Sequence, residues 1–173
     1  MKENAGGVTI KGNPLTTMGE KVNVGDKAPD FEMTKNDMSS VTLGASAGKV
    51  RLISVVPSLD TGICHAQTKR FNDEALNYDG VEFITVSAEH PFNQKRWCEQ
   101  ESCSNIDVVS DHRSMNFGEN YGLAIKEWRL LQRAIFIIDE DDTVAYTEYV
   151  PEIAQFPDYD SALAKLKEIT GSE

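Results

Sequence analysis

Segments with the apolar spacing of a β-strand alternate along the chain with segments that have the spacing of an α-helix. Residues 50–56 (VRLISVV) are β-branched and almost continuously apolar, which predicts a strand that is buried on both faces and ends at Pro57. Residues 81–87 predict the next strand, and residues 134–138 and 143–149 predict two more that form a hairpin. We therefore expect a sheet with residues 50–56 near its centre.

Three helices are predicted between and after these strands. The first follows from four residues at intervals of three or four positions, which can share one face: Cys64, Thr68, Phe71 and Ala75. The second begins near Pro91 and carries Trp97 and Cys98, and the third covers Tyr159–Ile169. The order strand, helix, strand, helix, hairpin, helix predicts an α/β fold with helices packed over a central sheet.

The first residues of the chain predict a separate hairpin. Residues 8–17 alternate in the manner of two short strands, with Gly12, Asn13 and Pro14 as the turn, and we expect this hairpin at an edge. No internal repeat or linker interrupts the pattern, and 173 residues suit one globular domain over positions 1–173.

Composition narrows the classes of partner. The chain has 28 acidic and 17 basic residues and a formal net charge of -11, which repels nucleic-acid phosphates and anionic lipid. The longest apolar runs are too short to cross a bilayer, and residues 1–7 lack the apolar core of a secretory signal. We therefore expect a cytoplasmic protein that binds neither nucleic acid nor membrane.

The cysteines carry the candidate chemistry. Cys64 falls at the start of a predicted helix, directly after a buried strand, where unpaired backbone N–H groups and the helix dipole favour an anionic sulfur. The alternative is that Cys64 packs as a small apolar residue. The chain has three cysteines and three histidines but no Cys-x-x-Cys pair or paired histidine spacing, so we expect neither a metal nor a cofactor.

The residues around Cys64 add a family resemblance. Residues 57–64 (PSLDTGIC), followed by Gln67-Thr68 and Phe71, resemble the peroxidatic signature of bacterial thiol peroxidases, the atypical two-cysteine peroxiredoxins. The resemblance extends over nearly the whole chain through five further segments: residues 11–14, 24–31, 92–98, 110–113 and 132–134. It implies a thioredoxin-like fold with a central mixed sheet flanked by helices and an N-terminal β-hairpin.

The resemblance also implies an activity and its residues. Cys64 would reduce hydrogen peroxide and alkyl hydroperoxides through a sulfenic acid, and Cys98 would close an intramolecular disulfide that thioredoxin reduces, in a homodimer. Pro57 would shield the thiolate from water, Thr61 would hydrogen-bond the sulfur and the peroxide, and Arg133 would hold the thiolate with its charge. Without the motif, Pro57 simply stops a strand, Thr61 caps a helix, and Arg133 caps a strand end and pairs with an acidic neighbour.

The choice between Cys98 and Cys103 also comes from the resemblance. Cys98 stands in the family's Arg-aromatic-Cys context, whereas Cys103 stands where relatives usually carry an apolar residue, so Cys103 is interpreted as a buried filler. A disulfide needs Cα atoms within about 7 Å, so Cys64 and Cys98, on two different predicted helices, are expected to need local unwinding. Two other functions stay open at this point: a thiol-disulfide exchanger and a non-catalytic thioredoxin-fold interaction module.

Overall fold

The computed structural model describes residues 1–171 and has the expected α/β architecture. The strands of the central sheet are β3 (Glu32–Thr34), β4 (Ser40–Thr42), β5 (Arg51–Val55), β6 (Glu82–Ser87), β7 (Asp107–Ser110), β10 (Ala134–Ile138) and β11 (Val144–Tyr149). A second sheet contains β1 (Glu3–Ile10), β2 (Asn13–Met18), β8 (Ala124–Ile125) and β9 (Leu130–Leu131). The α-helices are α1 (Gly62–Glu74), α2 (Pro91–Glu101), α3 (Asn116–Asn120) and α4 (Tyr159–Thr170).

The central sheet is mixed, with the strand order β11-β10-β5-β6-β7-β3-β4. The strands β5, β6 and β7 run parallel, while β10 is antiparallel to β5 and β3 is antiparallel to β7. Every residue of β5 and β10 is buried, as their nearly continuous apolar sequences predict. The expectation that residues 50–56 form an interior strand is confirmed.

Alternating residues of β10 pack into two apolar cores on opposite faces of the sheet. Phe136 contributes to the core that contains Phe31, Phe117 and Tyr121. Ile135 and Ile137 contribute to the other core, together with Phe71 of α1 and two leucines of α4, Leu163 and Leu166. The helices α1 and α4 therefore cover the same face of the sheet.

The N-terminal hairpin is present, but its turn differs from the prediction. The turn residues are Lys11 and Gly12, which both have positive φ (48° and 80°), while Asn13 and Pro14 already belong to β2. A two-residue turn with positive φ at both positions matches the twist of the flanking strands. The hairpin joins the second sheet, with β1 at its edge.

The elements that the sequence pattern missed are short. The strands β3, β4, β7, β8 and β9 contain two to four residues each, and α3 contains five. Segments of this length cannot display a period of 2 or 3.6 residues. Among the helices of residues 1–171, none is long and apolar enough to cross a membrane.

Candidate active site

Cys64 lies where the chain passes from the centre of the sheet into α1. Pro57 is buried just beyond the end of β5, a short loop follows, and Thr61 occupies the N-cap of α1. Cys64 is the third residue of the helix and is completely buried. The N–H groups of the first helical turn have no partner within the helix, so this position favours negative charge on the sulfur.

Strand register brings Arg133 to the same place. Ala134, the first residue of β10, pairs with Val55, the last residue of β5, so Arg133 stands beside the point where β5 ends. The Arg133 side chain is buried, and its Nη1 donates to Cys64 Sγ at 3.3 Å. Residues that are 69 positions apart thus meet at the start of α1.

Gln67 braces the guanidinium. Arg133 Nη1 also donates to Gln67 Oε1 at 3.1 Å, and Arg133 Nη2 donates to the backbone oxygen of Ile153 at 2.8 Å. Gln67 in turn donates through Nε2 to Ser54 Oγ at 2.8 Å, which ties the amide to β5. Gln67 belongs to the motif that follows Cys64, but the sequence indicated no role for it, although its position three residues after Cys64 places both on one helix face.

The surroundings of Arg133 differ from the acidic neighbourhood expected of a paired arginine. Within the described chain, no carboxylate lies within 4.0 Å of the guanidinium, so the expected alternative of an acidic neighbour is not what the structure shows. A buried cation without a counter-ion is costly. Cys64 Sγ and Gln67 Oε1 are the side-chain atoms at hydrogen-bonding distance from the guanidinium.

Thr61 and the loop before it are held by other contacts. Thr61 is exposed, and its hydroxyl donates to the backbone oxygen of Ser58 at 3.3 Å. It makes no hydrogen bond to the sulfur and accepts none from the N–H groups of α1. Glu89 fixes this loop by accepting from Ser58 Oγ at 3.1 Å and from the Leu59 N–H at 2.7 Å. No sequence pattern indicated Glu89, because it acts from the segment between β6 and α2.

Cys98 lies on α2, half-buried against the same apolar cluster that includes Cys64 and Trp97. Burial, together with nearby Cys103 and Glu99, raises the pKa of the Cys98 thiol to about 11. The His65 ring packs edge-on against Trp97 with ring centroids 5.3 Å apart, which connects α1 to α2. All three cysteines are free thiols.

Cys103 is buried, as the filler interpretation expects, and it belongs to the same cluster. Burial raises the pKa of its thiol. In the part of the chain that the structure describes, no group of three histidine, cysteine or acidic side chains is placed to hold a metal ion. The site therefore consists of a buried sulfur, a guanidinium and an amide.

Comparison with known proteins identifies the family of this site. The redoxin family profile matches residues 23–163. The chain belongs to the redoxin family. A thiol peroxidase of Halalkalibacterium halodurans is 56% identical over 160 residues, which are 92% of this chain and 96% of the relative. A thiol peroxidase of Staphylococcus aureus is 51% identical over 162 residues, which are 94% of this chain and 98% of the relative.

Solved structures of redoxin relatives agree with the fold. A peroxiredoxin-like protein from Aquifex aeolicus superposes with a TM-score of 0.88 at 41% identity, covering 94% of this chain and 96% of the other. A thiol peroxidase from Chromobacterium violaceum has a TM-score of 0.83 at 22% identity, with 93% and 95% covered. The expected fold class and the resemblance to thiol peroxidases are confirmed, and the thiol peroxidases that are 51% and 56% identical to this chain support the function of a peroxiredoxin-type peroxidase.

Proposed function

We propose that the chain reduces hydroperoxides at Cys64, resolves the product with Cys98 and is recycled by an external dithiol protein of the thioredoxin type. The observation that carries the proposal is the 3.3 Å contact between Arg133 Nη1 and Cys64 Sγ in a buried site where no carboxylate competes for the guanidinium. A hydrogen bond to a charged partner contributes about 1.5–3 kcal/mol, which is enough to favour the thiolate strongly.

In the first step the Cys64 thiolate attacks the terminal oxygen of the hydroperoxide. The S–O bond forms as the O–O bond breaks, so the sulfur loses two electrons to the peroxide and becomes a sulfenic acid after proton transfer. The remaining oxygen leaves as water or an alcohol after it takes a proton. The Arg133 guanidinium is placed to stabilise the negative charge that moves from sulfur to the leaving oxygen.

In the second step Cys98 condenses with the sulfenic acid, releasing water and forming a disulfide. The two sulfurs belong to one apolar cluster but to different helices, α1 and α2. The raised pKa of Cys98 keeps its thiol protonated at neutral pH while α2 is folded. Unwinding of the turn around Trp97 and Cys98 would expose the thiol to water and so restore ordinary thiolate formation.

Several partners follow from the resemblance to thiol peroxidases. We expect hydrogen peroxide and alkyl hydroperoxides as substrates, thioredoxin as the reductant, a homodimer in solution and a cytoplasmic location. Thr61 and Pro57 are proposed to contact the incoming peroxide and to shield the thiolate. In this scheme the Thr61 hydroxyl turns from the Ser58 carbonyl toward the sulfur when peroxide enters.

Peroxide consumption tests the proposal. Cumene hydroperoxide is followed with thioredoxin and its reductase, for the parent protein and for Cys64→Ser and Cys98→Ser. We expect no turnover for Cys64→Ser, and about one equivalent of peroxide reduced by Cys98→Ser before it stalls as a sulfenic acid. A Cys64→Ser protein that still turns over would refute the peroxidatic role, and a Cys98→Ser protein that cycles normally would refute the resolving role.

Peroxide turnover and a separate disulfide-reduction assay distinguish the other two functions. A non-catalytic interaction module would lose Cys64 reactivity stoichiometrically without turnover. A thiol-disulfide exchanger would reduce a disulfide substrate in the absence of peroxide. Sedimentation of the reduced protein checks the expected homodimer.

A further inference from the structure

The end of α2 joins Cys98 and Cys103 through the backbone. Ser102 follows the helix with a left-handed conformation (φ 55°), and the Ser102 N–H donates to the Cys98 oxygen. The Cys103 N–H donates to the same oxygen at 3.1 Å. This six-residue hydrogen bond is that of a Schellman motif, which is frequently accompanied by a contact between the side chains of its first and last residues. Cys98 and Cys103 hold those two positions.

The two thiols also share their surroundings. Cys98 and Cys103 both line an open groove of about 310 Å³, together with Lys35, Asp37 and Ile106. The interaction of the two sulfurs adds to burial in raising the pKa of Cys98, which places them within electrostatic range of each other. Cys64 does not line this groove and is completely buried. A macromolecular reductant therefore reaches the half-buried Cys98 sulfur of this pair more easily than it reaches Cys64.

A disulfide between Cys98 and Cys103 would join residues that are already hydrogen-bonded through the backbone. A disulfide needs Cα atoms about 4.4–6.8 Å apart, and the direct backbone hydrogen bond keeps these two residues close without unwinding the helix. A Cys64–Cys98 disulfide instead joins two helices. The Cys98–Cys103 disulfide would thus let α1 and α2 return to the conformation that the structure shows.

We propose that Cys103 is a second resolving thiol that takes over the disulfide from Cys64; the proposal rests on the proposed function, which forms the Cys64–Cys98 bond. The Cys103 thiol loses its proton to water, and its sulfur attacks Cys98 Sγ. The Cys98–Cys103 bond forms as the Cys64–Cys98 bond breaks, and Cys64 leaves with the electron pair as a thiolate. No electrons enter or leave the protein in this exchange.

Two features favour this direction of exchange. The departing Cys64 sulfur is received by Arg133 Nη1, and a sulfur whose anion is stabilised is the better leaving group. Burial raises the pKa of the Cys103 thiol, and the positive charge of Lys69, whose Nζ donates to the Glu101 oxygen at 3.1 Å, opposes that shift. The exchange returns Cys64 to its reduced form and leaves a Cys98–Cys103 disulfide at the groove.

Trypsin separates the two disulfides. Cleavage leaves Cys64 in peptide 52–69 and places Cys98 and Cys103 together in peptide 97–113. After one equivalent of peroxide and acid quenching at increasing times, we expect the cross-link between the two peptides first. It should then be replaced by a loop within peptide 97–113 that is two mass units lighter than its dithiol form. Cys103→Ser and Cys103→Ala should stop at the cross-link and turn over several-fold more slowly with thioredoxin.

The possible outcomes are distinct. If the parent protein ends entirely as the Cys64–Cys98 cross-link, the proposed transfer of the disulfide to Cys103 is wrong and the proposed function stands. A Cys64–Cys103 cross-link would also overturn the transfer, because Cys103 would then resolve Cys64 directly. If peroxide produces no disulfide, the proposed function fails, and a separate oxidation experiment still tests whether Cys98 and Cys103 form a disulfide. Cys64→Ser oxidised with diamide should form the loop within peptide 97–113; two thiols that remain free there would overturn the proposal.

Discussion

Gln67 Oε1 accepts a hydrogen bond at 3.1 Å from Arg133 Nη1, the same nitrogen that donates to the Cys64 sulfur. The amide oxygen and the sulfur therefore hold the same guanidinium nitrogen. Because Gln67 is anchored on Ser54 of β5, the guanidinium that contacts Cys64 is positioned by an interior strand of the sheet. Rigid support of this kind keeps the donor aligned with the reacting atom.

Removal of the Arg133 charge should slow the first chemical step. Arg133→Met keeps an unbranched side chain of similar length but removes the charged donor that lies 3.3 Å from the sulfur. Loss of a charged hydrogen bond worth about 1.5–3 kcal/mol predicts a rate of Cys64 oxidation lower by about one to two orders of magnitude. Single-turnover peroxide reduction in a Cys98→Ser background isolates this step.

A charge-conserving variant provides the control for Arg133. Arg133→Lys keeps a cation but lacks the planar fork that reaches Cys64, Gln67 and Ile153 together, so we expect an intermediate rate. The urea midpoints of the variants separate a chemical effect from unfolding. An Arg133→Met protein that reacts at the parent rate would remove the electrostatic argument.

Gln67 should act through Arg133 and not on the sulfur directly. Gln67→Met should lower the single-turnover rate by about tenfold in the parent, because a misaligned guanidinium would raise the activation free energy by about 1.4 kcal/mol. The same change should have almost no effect in Arg133→Met, so the two substitutions should be strongly non-additive. Additive effects would show that Gln67 contributes independently of the guanidinium.

Gln94 is a matched control for this experiment. Its Nε2 donates to Ser87 Oγ at 2.9 Å and to the Val109 oxygen at 2.9 Å, much as Gln67 donates to Ser54 and Val55, but it does not contact Arg133. Gln94→Met should cost stability comparable to that lost in Gln67→Met and should leave the single-turnover rate unchanged. Equal slowing by both variants would indicate a general effect of core damage.

Much of this arrangement is predictable from the sequence because it is local. The buried strands β5 and β10 and the position of Cys64 in the first turn of α1 follow from apolar runs and helical spacing. The contact of Arg133 with Cys64 depends on the β5–β10 register, which no local pattern reveals, so only the family resemblance indicated it. The support from Glu89 depends on tertiary packing and had no signal in the sequence.

Cys98 should be a slow thiol in the folded protein. Its pKa is raised from 9.0 to about 11, so at pH 8 the thiolate fraction is about a hundredfold lower than that of an ordinary thiol. In a Cys64→Ser variant that keeps Cys103, the iodoacetamide alkylation rate of Cys98, read by fragmentation of peptide 97–113, should therefore keep rising about tenfold per pH unit up to pH 10. In urea the rate should level off near pH 9, and identical profiles in both conditions would contradict the effect of burial.

Formation of the Cys64–Cys98 disulfide should loosen the ends of two helices. The packing of His65 on Trp97 and the contact of His65 Nε2 with Glu101 Oε2 at 3.6 Å connect α1 to α2 in the reduced form. We expect faster amide hydrogen exchange in the turns around Cys64 and Trp97 when the Cys103→Ser protein is locked in this disulfide. The interior strand β5 serves as the internal reference, and equal protection of these turns in both redox forms would argue against local unwinding.

The free energy of unfolding should fall as the pH rises because of Asp111. This residue holds α3 and does not belong to the cluster of cysteines. Its buried carboxyl accepts from the N–H groups of Phe117 at 3.0 Å and Gly118 at 2.8 Å, yet burial outweighs these bonds and raises its pKa to about 6. A raised folded-state pKa gives stability that is complete below the unfolded-state value of 3.8 and is lost as the pH passes through 6. Asp111→Asn, which stays neutral, should therefore gain on the order of 1 kcal/mol relative to the parent between pH 5 and pH 7.5 in urea unfolding. Asp158 has a lowered pKa and stays ionised throughout this window, so the difference between Asp158→Asn and the parent should not change, and a flat Asp111→Asn difference would disprove the pKa assignment.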